Sequence, residues 1–189
     1  MSNKFELIQK RLVYENKWIE VYDDIVSCPN GCNGTYIRIK YHDNPVGVVV
    51  LPRLPDGRML LIRVNRYATG GSFWEFPRGG GRKDELPEVS ANRELTEETT
   101  LVAEKFEHLG FQYPDNAIVM TMVAVFIAHL PTDAEKLLYV KSDEAIIEGK
   151  FLNFNEIISM VRQGTITDGF TLSALALYQA LMPNSSNAY

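Results

Sequence analysis

Glu94, Glu97 and Glu98 stand at i, i+3 and i+4, a spacing that gathers three carboxylates on one side of a helix. At 3.6 residues per turn they fan over roughly 100° of its surface. Ala91, Leu95 and Val102 mark the neighbouring apolar stripe, so the acids are expected at the edge of a buried face. Like charges at these spacings destabilise a helix by about 0.2–0.5 kcal/mol per pair, and partial burial adds a desolvation cost to each. A divalent cation removes the conflict. Hard Mg2+ prefers oxygen ligands, keeps several waters and bridges carboxylates to phosphates. Arg93, four residues before Glu97, can hold a carboxylate through charge-assisted hydrogen bonds. Gly79, Gly80 and Gly81 precede the helix and leave backbone groups accessible to a phosphate or a metal. A charge run alone is more often a solvated helix face. The complete spacing, Gly79-x5-Glu85-x7-Arg93-Glu94-Leu95-x-Glu97-Glu98, sets this stretch apart.

The elements that must carry these residues follow from periodicity and turn chemistry. Residues 1–45 read as β-rich: Leu12–Tyr14, Trp18–Val26 and Tyr36–Tyr41 alternate apolar and polar residues, and Cys28-Pro-Asn-Gly-Cys-Asn-Gly34 is a turn. Val46–Leu51 is a fully apolar strand ended by Pro52, Pro55-Asp-Gly57 is a tight turn, and Met59–Val64 completes the hairpin. Tyr67–Ser72 is a loop before Phe73-Trp-Glu-Phe76, and the acidic helix runs from about Pro87 to Thr99. Strands are expected at Phe106–Phe111, Ile118–Leu130 and Ile147–Phe151. A short helix over Asn155–Gln163 stops at Gly164, and Asp168 or Thr171 caps a last helix reaching about Leu181. Strands lie before, between and after helices and hairpins dominate, so the class is mixed α/β (α+β) around a mixed sheet. The expected division is an N-terminal β segment over 1–45, a main domain over 46–183 and a frayed tail over 184–189.

Composition narrows the field. With 189 residues, 46% hydrophobic and 23% charged, the chain can bury a real core without staples. A net charge of −5 argues against a nucleic-acid binder, which needs clustered Lys and Arg. The longest uncharged apolar stretch, Ala117–Ala128, is too short to span a bilayer. The start, MSNKFELIQKR, carries charges where a signal peptide has its apolar core, so a cytoplasmic location is expected. Cys28 and Cys32 read as reduced thiols around a turn, and His42, His108 and His129 have no partner spacing for a zinc site.

With Thr100 and Leu101 appended, the stretch Gly79–Leu101 resembles the Nudix box. The family pattern has Gly where Thr100 stands, beyond the helix and away from the ligands, so an altered turn with intact chemistry is expected. Pro29-Asn-Gly31, Val64-Asn-Arg66-Tyr67, Trp74-Glu-Phe-Pro-Arg-Gly79 and Gly164-Thr-Ile-Thr-Asp168 resemble segments of ADP-ribose and nucleoside-diphosphate-sugar pyrophosphatases in that family. Asn65 and Arg78 replace the Gln and Ala often found there, both beside the expected substrate pocket.

The resemblance implies a Nudix-type α/β/α sandwich that hydrolyses a nucleoside diphosphate sugar with Mg2+, or Mn2+ in its place. It implies that Glu94, Glu97, Glu98 and the carbonyl of Arg78 are metal ligands and that Arg93 orients the carboxylates. Glu85 is then a structural partner at the helix start. A general base is expected in Lys141-Ser-Asp-Glu144, with Glu144 first, Asp143 second and Glu148 third. Arg66 would contact the diphosphate or distal sugar, Glu75 would pair with Arg66 or touch a second metal, and Trp18 would stack on the base. The N-terminal segment would pack across a homodimer. Hydrolysis of nucleoside triphosphates or RNA 5′ ends is the rival chemistry. A non-catalytic nucleotide-sugar sensor is the rival of another class, although such modules usually lose the acids present here.

Overall fold

Strands buried on both faces build one unit of the chain, and a separate antiparallel sheet builds another. The computed structural model describes residues 3–141 and 145–181. One unit comprises Met1–Pro45 with Tyr113–Met122, the other Val46–Gln112 with Val123–Tyr189.

The first unit is an antiparallel sheet of β1 (Glu6–Gln9), β2 (Leu12–Glu15), β3 (Ile19–Ser27) and β4 (Asn33–Tyr41). Central β3 carries β1 and β2 in succession on one edge and β4 on the other. Arg11, between β1 and β2, donates its backbone N–H to the buried Asp24 of β3 at 3.0 Å. Arg38 of β4 pairs with the same carboxylate and holds it below the usual range. The β3–β4 turn closes with Gly31 N–H donating to Cys28 O at 2.9 Å and Gly31 at φ +83°, and both cysteines are free. β1 and β2 are exposed along their whole length, leaving Leu7, Ile8, Leu12, Val13 and Tyr14 uncovered.

Ile118–Leu130 is not one strand. Ile39 accepts from Met120 N–H at 2.9 Å and donates to Ile118 O at 2.7 Å, which binds residues 118–120 to β4. The strand proper begins at Val123, where it meets Gly47. One apolar run therefore serves two units, a division periodicity cannot reveal.

The second unit is built on β5 (Gly47–Arg53), β6 (Met59–Arg66), β7 (Gly71–Glu75), β8 (Arg78–Gly79), β9 (Lys105–Gln112), β10 (Val123–His129) and β11 (Ile146–Leu152). The main path is β11-β6-β5-β10-β9, with β5 and β10 parallel and the other pairs antiparallel. Alternate residues of the inner strands point to opposite cores. Val48, Val50, Leu60, Ile62, Ala124 and Phe126 face Ala91 and Leu95 of α1 (Pro87–Thr99). Val49, Leu51, Met59, Leu61, Val125 and Ile127 face Ile157 of α3 (Phe154–Arg162) and Ala174 of α4 (Gly169–Leu181). The result is an α/β/α sandwich, as the family resemblance implied. A short α2 (Ala134–Leu137), which buries Ala134 alone, was not evident in the sequence.

Pro52 does not end β5. Val50 N–H donates to Pro77 O at 2.9 Å, so residue 52 directs its missing N–H to the same edge. On that edge β5 pairs with β8 at Val48 and Val49 and with β6 at Arg53, and Pro52 falls between the two ladders. Among the described residues no helix is long and apolar enough to cross a membrane.

Candidate functional site

Pro87 opens α1 at a position where its absent N–H is not missed. The helix buries Ser90, Ala91, Leu95, Glu98 and Thr99 against the sheet. Burial is graded across the acidic fan: Glu98 is 7% exposed, the Glu94 side chain 13% and that of Glu97 42%. Val102 falls past the helix end and is exposed, so the apolar stripe expected to include it closes at Leu95 and Thr99.

Arg93 organises the carboxylates. Its Nη1 donates to Glu94 Oε1 at 2.7 Å and Glu97 Oε2 at 3.0 Å, and its Nη2 to the Gly80 carbonyl at 2.7 Å and Glu85 Oε2 at 3.1 Å. Glu85 also accepts from Ser90 Oγ at 2.6 Å and Arg82 N–H at 3.2 Å. Arg93 and Ser90 pull its carboxyl down to about 2. The Gly79–Arg82 loop is thereby stitched to α1.

Glu98 stands apart from Arg93. Its Oε2 accepts the Arg78 N–H at 3.1 Å. Burial, reinforced by the Glu94 charge, pushes its carboxyl up to about 8. Gly79 has no room for a side chain: a Cβ there would lie 2.1 Å from Glu94 Cδ. The backbone at Arg78 and Gly79 therefore passes directly against Glu94 and Glu98.

These residues fit a divalent cation. The donor set is three carboxylates and a neighbouring backbone carbonyl, all hard oxygens. The attraction of a cation would offset both the burial and the Glu94 charge that raise Glu98. Among the described residues, metal-capable atoms of three side chains come within 4.8 Å of one another at Glu15, Glu20 and His42 of the first unit. There Lys40 already lies 3.2 Å from Glu20, which makes that cluster an ion-pair network. At α1, Glu94 and Glu97 close on Arg93.

Beside this group lies a second charged cluster. Glu75, 1% exposed, accepts from Arg66 Nε at 3.0 Å and from Arg78 Nε at 3.0 Å. Arg78 Nη2 is 3.5 Å from Asp168 Oδ1. Asp168 Oδ2 caps α4 through Thr171 N–H at 2.8 Å. Of the two cap candidates, Asp168 does the capping, while Thr171 accepts from Phe76 N–H at 3.0 Å. Periodicity marked Asp168 as a cap, but its link to Arg78 spans 90 positions and left no local signal.

Trp18 lies in the first unit and is 65% exposed, so it is not a core residue. Glu148 of β11 is ion-paired to Lys150 at 2.9 Å and Arg63 at 3.4 Å, and Lys150 foremost lowers its carboxyl. Asp143 and Glu144 lie outside the described residues.

The NUDIX domain model matches residues 43–169, two thirds of the chain. The chain belongs to the Nudix family. This Nudix chain is 27% identical over 172 residues to the ADP-ribose pyrophosphatase of Bacillus subtilis (strain 168), covering 91% of each. It is 29% identical over 188 residues to the GDP-mannose pyrophosphatase of Yersinia enterocolitica, covering 95% of this chain and 97% of the relative. The solved structure of an ADP compounds hydrolase shares the fold with a TM-score of 0.77 and 20% identity, covering 94% of this chain and 93% of that one. The Nudix assignment and the hydrolase class both stand on these likenesses, and divalent-metal use goes with the family.

Proposed function

We propose that this Nudix hydrolase cleaves the diphosphate bridge of ADP-ribose or a related nucleoside diphosphate sugar, releasing nucleoside monophosphate and sugar phosphate. The observation that carries the reading is the set of box acids on α1, two gathered by Arg93 and the third buried against the Arg78 N–H. Relatives named for ADP-ribose and GDP-mannose, matched over nearly the whole chain, support this substrate class.

Glu94, Glu97, Glu98 and the Arg78 carbonyl are the residues to hold Mg2+, with Mn2+ as substitute. Such an ion supplies Lewis-acid stabilisation of phosphoryl charge and a more acidic bound water. Hydrolysis adds the water oxygen to one phosphorus, and the bridging oxygen leaves on the other. Glu144 is the proposed acceptor of the water proton. Arg93 keeps Glu94 and Glu97 oriented through bonds already in place. Arg66, fixed by Glu75, directs its remaining donors to the diphosphate or distal sugar. Trp18 is proposed to stack on the base. Residues 1–45 serve as the dimerisation element and 46–183 as the catalytic domain, in a cytoplasmic homodimer. The exposed β1 and β2 support that arrangement by offering an apolar edge.

The test is release of nucleoside monophosphate with Mg2+ across ADP-ribose, GDP-mannose and other sugar diphosphates, with dGTP as comparison. Turnover of sugar diphosphates above dGTP is expected; no turnover on any of them defeats the substrate assignment.

A further inference from the structure

Arg78 opens β8 opposite Val49 of β5, and Gly80 and Gly81 beyond the strand restrain the backbone little. The Arg78 N–H meets the buried Glu98 at 3.1 Å. The side chain adds restraint to that strand pairing. Nε donates to Glu75 Oε2 at 3.0 Å, Nη2 lies 3.5 Å from Asp168 Oδ1, and the guanidinium carbon stands 4.2 Å from the centre of the Phe170 ring. These anchors are themselves fixed. Glu75 is buried on β7 and shared with Arg66, and Asp168 is tied to the first turn of α4 through the Thr171 N–H and hydroxyl at 2.8 Å each. Strand β7, the start of α4 and the carboxylate of α1 therefore converge on one residue. A planar fork that bonds two acids while stacking on a ring suits this position, and an ammonium does not.

We infer that the Arg78 side chain is a positioning residue for the metal-binding end of α1. Its Cα joins the peptide whose N–H meets Glu98 to the peptide whose carbonyl is the proposed backbone ligand. Anchoring the side chain immobilises both. The inference rests on the proposed metal role of Glu94, Glu97 and Glu98.

The test compares Arg78→Ala, Arg78→Lys and Asp168→Asn with the unaltered protein. Each is measured for Mn2+ binding by calorimetry in the absence of substrate, for thermal unfolding, and for kcat and KM on the best substrate of the panel. Arg78→Ala is expected to weaken Mn2+ binding at least tenfold and lower kcat at least tenfold, with KM within threefold. Arg78→Lys should stay within threefold of Arg78→Ala, since charge without the fork does not restore the anchor. Asp168→Asn keeps a good helix cap and should weaken Mn2+ binding about threefold; it carries the comparison if Arg78→Ala does not fold. Unchanged Mn2+ affinity with a lowered melting temperature assigns Arg78 a purely structural part and overturns the proposal. A raised KM with kcat unchanged makes it a substrate contact and also overturns it, as does full recovery by Arg78→Lys. If no panel substrate turns over in the unaltered protein, the substrate assignment falls, while the Mn2+ comparison still decides the role of Arg78.

Discussion

Glu98 is an acid whose environment works against its charge. Burial and the Glu94 carboxylate raise it from 4.5 to about 8. A carboxyl that binds its proton more tightly folded than unfolded adds stability fully below about pH 4.5, and that contribution is lost as pH rises through about 8. The metal-free protein should melt at lower temperature at pH 8.5 than at pH 5.5. Glu98→Gln, which cannot ionise, should shrink that difference in a pH series of thermal melts. The same change should lower kcat by about 100-fold or more, on the scale of losing one preorganised charge-stabilising group. Glu85 has the opposite sign: its folded value near 2 contributes stability above about pH 4.5 that is lost as pH falls through 2. Gly79→Ala must displace Glu94, whose carboxylate atoms stand 2.1–2.3 Å from the new Cβ, whereas nothing lies within 4 Å of a Cβ at Gly80. Mn2+ titration should therefore find binding weakened in Gly79→Ala and near normal in Gly80→Ala.

Among the helices, α1 carries its strain at the end. Thr100 caps it at φ +60°, ψ +2°, the left-handed region where the family pattern has Gly. A Cβ there costs about 1–2 kcal/mol. Thr100→Gly removes that cost, but it frees the unfolded chain and forfeits the Thr100 hydroxyl bond to Thr99 O at 2.6 Å. A net gain of about 0.5–1 kcal/mol is expected in denaturant unfolding, with kcat unchanged because the αL residue lies beyond Glu98. At α3, Asn153 and Glu156 complete a capping box, with Glu156 N–H donating to Asn153 Oδ1 at 3.0 Å. Asn153→Ala should cost about 1 kcal/mol.

For the molecule as a whole, assembly is the open prediction. β1 and β2 leave every residue exposed, and Phe5, Leu7, Ile8, Leu12 and Val13 are each about half or more exposed. An exposed edge of this kind is a template for pairing with another chain. Light scattering at micromolar protein should give twice the 21.4 kDa chain mass; a single monomeric species removes the dimer.

The acidic helix was legible residue by residue, because Glu94, Glu97 and Glu98 follow from 3.6-residue geometry and Pro87 marks the first turn. The strands β5, β6 and β10 were legible as apolar runs, and so was the mixed fold they build. Three matters were not. Residues 118–120 belong to β4 and not to β10 because backbone partners distant in sequence claim them. Pro52 stays in β5 because of which edge its missing N–H faces. The Glu75–Arg78–Asp168 cluster exists because β7, β8 and α4 meet in space. Local pattern settles which residues can share a face; long-range pairing, which carries no periodic trace, decides which faces meet.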